Sequence, residues 1–375
     1  MRLLNTETYE LHEFFDKDVP AYTILSHRWT NDEVTFQDYR KGRGHDTAGH
    51  KKVVDACNFA NLRRQSWLWV DTCCIDKRSS AELSEAINSM FVWYQEASEC
   101  YVYLEDVPSV DKPNWTDVPA GFRGSIWFSR GWTLQELVAP ACVLFCDQQW
   151  QLFGHRASDH AAIDSVVDKR DEGTTLGRDL TPYISKITGI PERVLRRPAS
   201  YKEYSVAQRL SWASHRTTRR IEDEAYCLLG LLDVHMPLLY GERGRAFARL
   251  QQEVMRNSTD ESILAWPRHR DGDIALLASS PALYKDCHAI RISEDLRVPR
   301  LTPQSGLVKL ESGSIDECFL IGHAIKGIYA VRLRCIIYED HERKAYEKPQ
   351  ITADPKPFVG ISFALEPFMG RSDIL

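Results

Sequence analysis

Glu136 lies in Arg130-Gly131-Trp132-Thr133-Leu134-Gln135-Glu136-Leu137, which places a guanidinium, an indole, an amide and a carboxylate within two helical turns, just before an apolar strand. Two further polar clusters also end apolar runs. Leu25-Ser26-His27-Arg28-Trp29 follows Ala21-Tyr22-Thr23-Ile24, and Asp71-Thr72-Cys73-Cys74-Ile75-Asp76 follows Trp67-Leu68-Trp69-Val70. An arginine fork such as that of Arg28 suits phosphate oxygens, Trp29 and Trp132 offer faces to a heterocycle, and Asp71 or Asp76 suits a ribose or a metal.

Each of these residues also has a plainer role. Thr133-Leu134-Gln135-Glu136 is a capping-box pattern, in which the carboxylate reaches back to the Thr133 N–H. Ser26 can cap a turn, Arg28 can be a surface arginine, and Asp71 and Asp76 can order a loop or cap the next helix. Trp29 and Trp132 can simply pack. His27 and Cys73 suggest thiol chemistry, but spacing alone does not bring them together and no orienting third group is evident. The sequence has no Walker phosphate loop, no GxGxxG after a strand, no HExxH and no GxSxG, which removes most common nucleotide-binding and hydrolase folds.

The elements that must position these clusters alternate. Strands are expected over 21–26, 66–73, 100–104 and 142–146. Helices are expected over 46–64, 79–97 and near 133–138, the second opened by a capping-box pattern at Ser79 and Glu82. Leu83, Ala86, Ile87, Met90, Phe91 and Tyr94 make one apolar stripe on that helix. Residues 105–124 form a Pro/Asp/Gly-rich loop. This β-α-β-α-β-α-β order predicts a mainly parallel α/β sheet covered on both faces, with the three polar clusters at the carboxyl ends of its strands. From about Ser158 the pattern is helical, with amphipathic stretches at 205–214, 221–232 and 242–256. Beyond Ile263 it alternates again around Phe319, Ile321, 329–337, Val359, Ile361 and Phe363, as antiparallel strands do. The expected division is an α/β domain over 1–157, a helical region packed on it over 158–262, and a small β-rich domain over 263–375.

Across 375 residues, 43% hydrophobic and 27% charged residues describe an ordinary globular protein, and a net charge of −6 argues against a nucleic-acid partner. The basic clusters at 193–197 and 216–220 read as solvated surface or helix ends. No run is apolar enough to span a bilayer, and Met1-Arg2-Leu3-Leu4 leads into charge, not a signal-peptide core. The ten cysteines follow no zinc pattern and read as small buried hydrophobes of a reducing compartment, so a cytoplasmic location is expected. The alternation toward Leu375 leaves the native end of the chain open.

The same clusters carry a resemblance. Tyr22-Thr23-Ile24-Leu25-Ser26-His27-Arg28-Trp29, then 69–77, 82–94, Tyr101-Val102-Tyr103-Leu104 and 128–137 are similar to the fungal heterokaryon-incompatibility (HET) domain family. Glu222-Asp223-Glu224-Ala225-Tyr226-Cys227-Leu228-Leu229-Gly230-Leu231 through Tyr240-Gly241-Glu242 resembles the segment that comes after the domain in family members. At His27-Arg28-Trp29-Thr30 the chain departs from the aromatic, Thr or Ser, and Trp-Gly of many members. The resemblance implies a role in non-self recognition that ends in cell death. It also implies a remote likeness to TIR domains, whose flavodoxin-like fold matches the β-α alternation of this chain.

Some TIR domains hydrolyse NAD with a glutamate on the helix before a late strand, and Glu136 occupies the corresponding place. The resemblance therefore implies NAD, or a related nucleotide, as substrate, with no separate cofactor and no metal. Glu136 is the expected catalytic residue, with Ser26, Arg28, Trp29, Asp71, Cys73, Arg130 and Trp132 around the substrate. It further implies a homo-oligomer when active and a regulatory protein partner. The alternative is a non-enzymatic scaffold that signals by self-assembly, in which Glu136 is only a cap.

Overall fold

A computed structural model describes residues 1–109, 118–119, 121–157, 177–266 and 277–292, and beyond them the strand segments 301–304, 307–310, 320–324, 327–330 and 335–337. Among the described residues one sheet holds β1 (Arg2–Asn5), β2 (Leu11–Glu13), β3 (Thr23–His27), β4 (Trp67–Trp69), β5 (Glu99–Tyr103), β6 (Cys142–Cys146), β7 (Leu152–Ala157) and β8 (Arg178–Asp179). Their order is β2-β1-β4-β3-β5-β6-β7-β8. The middle four, β4-β3-β5-β6, are parallel, so in chain order they stand second, first, third, fourth. All five residues of β3 and of β6 are buried, which is the mark of a sheet covered on both faces. Antiparallel β1 and β7 flank this parallel centre, so the sheet is mixed.

Around the sheet lie α1 (Phe36–Arg40), α2 (Ala48–Leu62), α3 (Asp71–Cys74), α4 (Ser80–Glu96) and α5 (Thr133–Val138). The Thr47 hydroxyl caps α2 by accepting from the His50 N–H at 3.1 Å. On α4 the buried residues are Ala86, Ile87, Met90, Phe91 and Tyr94, nearly the whole expected stripe. Only half of its expected capping box forms. Ser79 accepts from the Glu82 N–H at 3.3 Å, while the Glu82 carboxylate turns to Arg2 and to the Asp76 N–H at 2.7 Å. The expected strand over 66–73 stops at Trp69, and Asp71 and Cys73 lie on the helical turn α3 instead. Its run of apolar residues continues because that turn is itself buried. The hairpin β1–β2 and strands β7 and β8 go beyond the sequence expectation. β2 has three residues, and β7 carries Gly154, His155 and Arg156, so neither shows clean alternation.

Beyond the sheet come helices Thr181–Thr188, Glu192–Arg196, Val206–Ser211, Asp223–Tyr226 and Arg245–Asn257. The helix expected over 221–232 breaks into Asp223–Tyr226 and a 3-10 turn, Gly230–Leu232. Gly230 explains the close docking there: a Cβ at this position would lie 2.0 Å from the Phe91 Cβ, so only glycine lets this segment meet α4. Arg156, fully buried, ties the parts together. It donates to the carbonyls of Leu137 and Pro140 at the end of α5, at 2.5 and 2.8 Å, and to Leu195 at 3.1 Å. Three antiparallel pairs follow: 290–292 with 335–337, 301–304 with 307–310, and 320–324 with 327–330. Residues 261–264, 281–284 and 287–289 are 3-10 turns, and among the described residues strands resume at Ile290. The strand expected around Val359, Ile361 and Phe363, and the position Phe319, lie outside the described residues.

Candidate functional site

The chain crosses from β4 over β3 to β5, and strand order reverses between β3 and β5. Open α/β sheets leave a crevice at such a reversal, outside the carboxyl ends of the strands. On β3, Ile24 and Ser26 share one face with Cys100 and Val102 of β5 through the parallel register. α5 lies on that face, its Glu136 carbonyl 3.8 Å from the Cys100 Sγ. The Ser26 hydroxyl donates to Glu136 Oε2 and accepts from the Trp127 indole N–H at 2.8 Å. An indole has only a donor, so the single serine proton is directed at the carboxyl. The Tyr94 hydroxyl, which donates to the Leu25 carbonyl at 3.1 Å, is also within hydrogen-bonding reach of Glu136.

Glu136 is only 8% exposed. Burial pushes its carboxyl up to about 8. The Ser26 hydrogen bond opposes that rise, Asp71 adds to it, and Arg216 and Arg130 oppose it. The side chain is therefore a neutral acid over most of the physiological range. The capping-box alternative does not form: Trp132 is the N-cap and makes no side-chain cap bond, and Glu136 is spent on Ser26. The Thr133 hydroxyl bonds the carbonyls of Trp127 and Arg130, at 2.6 and 2.9 Å.

Around this pair lies a charged mouth. Arg28, just past β3, pairs with Glu105, just past β5, at 2.6 Å, which bridges the reversal point. Arg130 is half-buried, and burial lowers its pKa, helped by the positive charges of Arg219 and Arg28 and opposed by Asp223 and Glu136. Trp132 hydrogen-bonds Asp223, whose carboxylate also accepts from the Tyr240 hydroxyl at 3.0 Å. One face of the Trp29 ring is covered by the Lys77 ammonium, 3.4 Å from the ring centroid. Lys77 in turn lies 3.6 Å from Asp71. Asp76 orders its loop, accepting from Gln37 at 2.8 Å and from the Arg78 N–H at 3.0 Å.

Ser26, Glu136, Asp71, Arg28, Arg130, Trp29 and Trp132 thus gather at one end of the sheet. Cys73 does not join them. Its thiol is fully buried, directed at the Val70 carbonyl and pushed up by burial and by its neighbour Cys74, so it is a core residue with no surface for a ligand. His27 points to the opposite sheet face, as the two-residue period of a strand requires. There its Nε2 lies 3.6 Å from Glu33 and 3.9 Å from Asp71, and the pairing with Cys73 needed for thiol chemistry is not made. Among the described residues no three of His, Cys, Asp and Glu converge as a metal-ligand set.

Sequence reasoning missed Trp127, Tyr94, Arg216 and Arg219. Arg216 donates to the Arg130 carbonyl at 2.9 Å and to the Thr133 hydroxyl at 2.8 Å, and burial brings its pKa down to about 10. Arg219 donates to the Trp29 carbonyl at 3.0 Å. The signal for Trp127 was present, since an indole inside the apolar run Ile126-Trp127-Phe128 needs an acceptor when buried. The arginines belong to the cluster expected to be solvated, and partners 83 and 190 positions away leave no local trace.

No helix of the described residues is long and apolar enough to cross a membrane. No solved structure matches the chain. Residues 22–119 match the family model for heterokaryon incompatibility protein (HET). Over 322 residues, 80% of its length, the chain is 37% identical to vegetative incompatibility protein HET-E-1 of Podospora anserina, of which it spans 22%. The chain belongs to the heterokaryon-incompatibility (HET) family.

Proposed function

We propose that this chain is a cytoplasmic heterokaryon-incompatibility and cell-death effector, part of fungal non-self defence, whose α/β domain hydrolyses NAD at the nicotinamide–ribose bond. The observation that carries the proposal is Glu136: a buried, neutral carboxyl bonded to Ser26 across the strand-order reversal, beside arginines and two tryptophans. Perturbed carboxyls in such positions are candidates for catalysis. A flavodoxin-like, TIR-like class for the domain is supported by its parallel strand order of second, first, third, fourth. The three-part division at 157 and 262 goes with this, the described strands of the last, β-rich part starting at Ile290.

In the reaction the C–N bond between ribose and nicotinamide breaks, and nicotinamide leaves with the bonding electrons. Water adds its oxygen to the sugar carbon, and one proton is released. The pyridinium of bound NAD is cationic, so its arrival favours the ionised form of Glu136 and draws off the carboxyl proton. The resulting carboxylate stabilises the oxocarbenium-like transition state and holds a ribose hydroxyl, as carboxylates do in glycoside hydrolysis. Ser26, anchored by Trp127, keeps the carboxyl in place. Arg28 and Arg130 meet the pyrophosphate, Asp71 lines the pocket, and Trp132 offers a ring to a base. Trp29 can do so only on the face that Lys77 leaves open. Activity on assembly into a homo-oligomer, under a regulatory protein partner, belongs to the same proposal.

The rival function is a non-enzymatic scaffold acting by self-assembly. It is favoured by the surface at the end of α2, where Leu62 is 85% exposed beside an open groove of about 460 Å³ lined by Phe59 and Trp150. That groove is on the sheet face opposite Glu136, since Phe59 packs on Tyr101. The deciding experiment is nicotinamide release from NAD by the purified chain over a concentration series, with and without a crowding agent, beside Glu136→Gln shown to be folded by its melt. Turnover by the parent and none by the variant is expected. No product from an assembled parent, or equal product from both proteins, removes Glu136 as catalyst and leaves the scaffold.

A further inference from the structure

Four guanidinium groups converge at the mouth of the site from two distant parts of the chain. Arg28 and Arg130 come from the sheet side, and Arg216 and Arg219 from the segment after Ser214. The segment is strapped in place. Thr217 forms an isolated parallel bridge with Arg130, its N–H donating to the Ser129 carbonyl at 2.7 Å and its carbonyl accepting from the Gly131 N–H at 2.9 Å. Arg216 reaches under this bridge to the Arg130 carbonyl, and Arg219 reaches over to the carbonyl of Trp29, next to Arg28.

Like charges do not gather without a reason, and the local carboxylates do not balance them. Glu105 pairs with Arg28, and Asp223 is occupied by Tyr240 and Trp132. Glu136 is neutral. With Asp71 set beside the Lys77 ammonium at 3.6 Å, the four guanidinium groups face only the carboxylates of Glu105 and Asp223. Arg130 makes no side-chain hydrogen bond or ion pair among the described residues, and the buried Nη2 of Arg216 has no hydrogen-bond partner there. Donor capacity of this kind, on planar forks at the carboxyl end of a parallel sheet, matches the oxygens of a phosphate chain.

We infer that Arg28, Arg130 and Arg219 form a pyrophosphate-binding rim, with Arg216 as the positioning residue that fixes the Arg130 backbone beneath it. Of the three rim arginines only Arg28 lies within the family-matched residues 22–119; Arg130 and Arg219 come from beyond them. The rim rests on the proposed nucleotide site and names the part of the substrate held there. A phosphate chain along the rim leaves the nicotinamide–ribose end to reach Glu136.

The test is calorimetric binding of inorganic pyrophosphate, orthophosphate and ADP-ribose to the full chain, and to Arg219→Glu, Arg219→Lys and Arg130→Gln, with melts to confirm folding. Arg219 is exposed, so its replacement leaves the core intact. Pyrophosphate and ADP-ribose should bind more tightly than orthophosphate, and Arg219→Glu should weaken both by about 10- to 100-fold, the worth of a charged hydrogen bond. Arg219→Lys should fall between, and Arg130→Gln should also weaken both. Equal binding by wild type and Arg219→Glu, or no preference for pyrophosphate over orthophosphate, overturns the rim. Arg219-dependent binding without any nicotinamide release sustains the rim and defeats hydrolysis. Nicotinamide release with an unchanged KM in Arg219→Glu does the reverse.

Discussion

Replacing Glu136 by glutamine keeps the shape of the side chain and its bond from Ser26 but removes its titration. The native carboxyl is raised from 4.5 to about 8, so between those values the folded chain holds a proton that the unfolded chain has released. Stability then falls as pH rises, by about 1.4 kcal/mol per pH unit across that window. The whole contribution is present below 4.5 and lost by about 8, a total of about 5 kcal/mol before relaxation of the site reduces it. Glu136→Gln carries no such loss. Urea unfolding followed by tryptophan fluorescence, for both proteins from about pH 5 to about pH 9, isolates the effect, because every other titrating group cancels in the difference. The variant should be near wild type at the acid end and gain steadily, by about 2–5 kcal/mol at the alkaline end. A difference that stays flat across the series would mean an ordinary ionised carboxylate, and the account of Glu136 as a neutral acid would fail.

Two further substitutions probe its surroundings. Ser26→Ala strips the Trp127 indole and Glu136 of their shared partner, and should cost about 1–3 kcal/mol in a urea melt. Because the Ser26 bond opposes the rise of Glu136, the same variant should move the pH-dependent loss to higher pH, which urea unfolding over the same pH range reads directly. Arg156→Leu leaves the carbonyls at the end of α5 without donors, and should lower stability by about 2–4 kcal/mol, measured by chemical unfolding.

The parallel centre of the sheet was legible because its strands are short apolar runs separated by helical periodicity. Helix α5 and strand β6 match their expected bounds, and β3 and β5 differ from theirs by a residue or two. What escaped was set by contacts far apart in the chain. The strand expected through Cys73 bends into α3, because both conformations bury the same apolar residues and periodicity does not tell them apart over so short a run. The gathering of the clusters was legible where polar residues end strands, as with Ser26 and Asp71, and on the short helix before the last parallel strand, as with Glu136. It was not legible at Arg219, whose partner Trp29 is 190 positions away, nor at Cys73, where proximity in sequence to Asp71 put a core thiol among ligand contacts.

Arg156 and the strap at Thr217 also bear on the order in which the chain is made. A ribosome-bound chain that has emerged only to Trp150 already holds Ser26, Trp127 and Glu136. It lacks the guanidinium that satisfies the end of α5 and the backbone bridge that pins its start. Chains fold from the amino terminus as they emerge, so α5 lacks these two braces until residues 156 and 217 are available. An incomplete or prematurely ended product therefore carries the key carboxyl without the framework that aims it. Under the proposed function, this late-arriving brace keeps translation itself from releasing an active fragment.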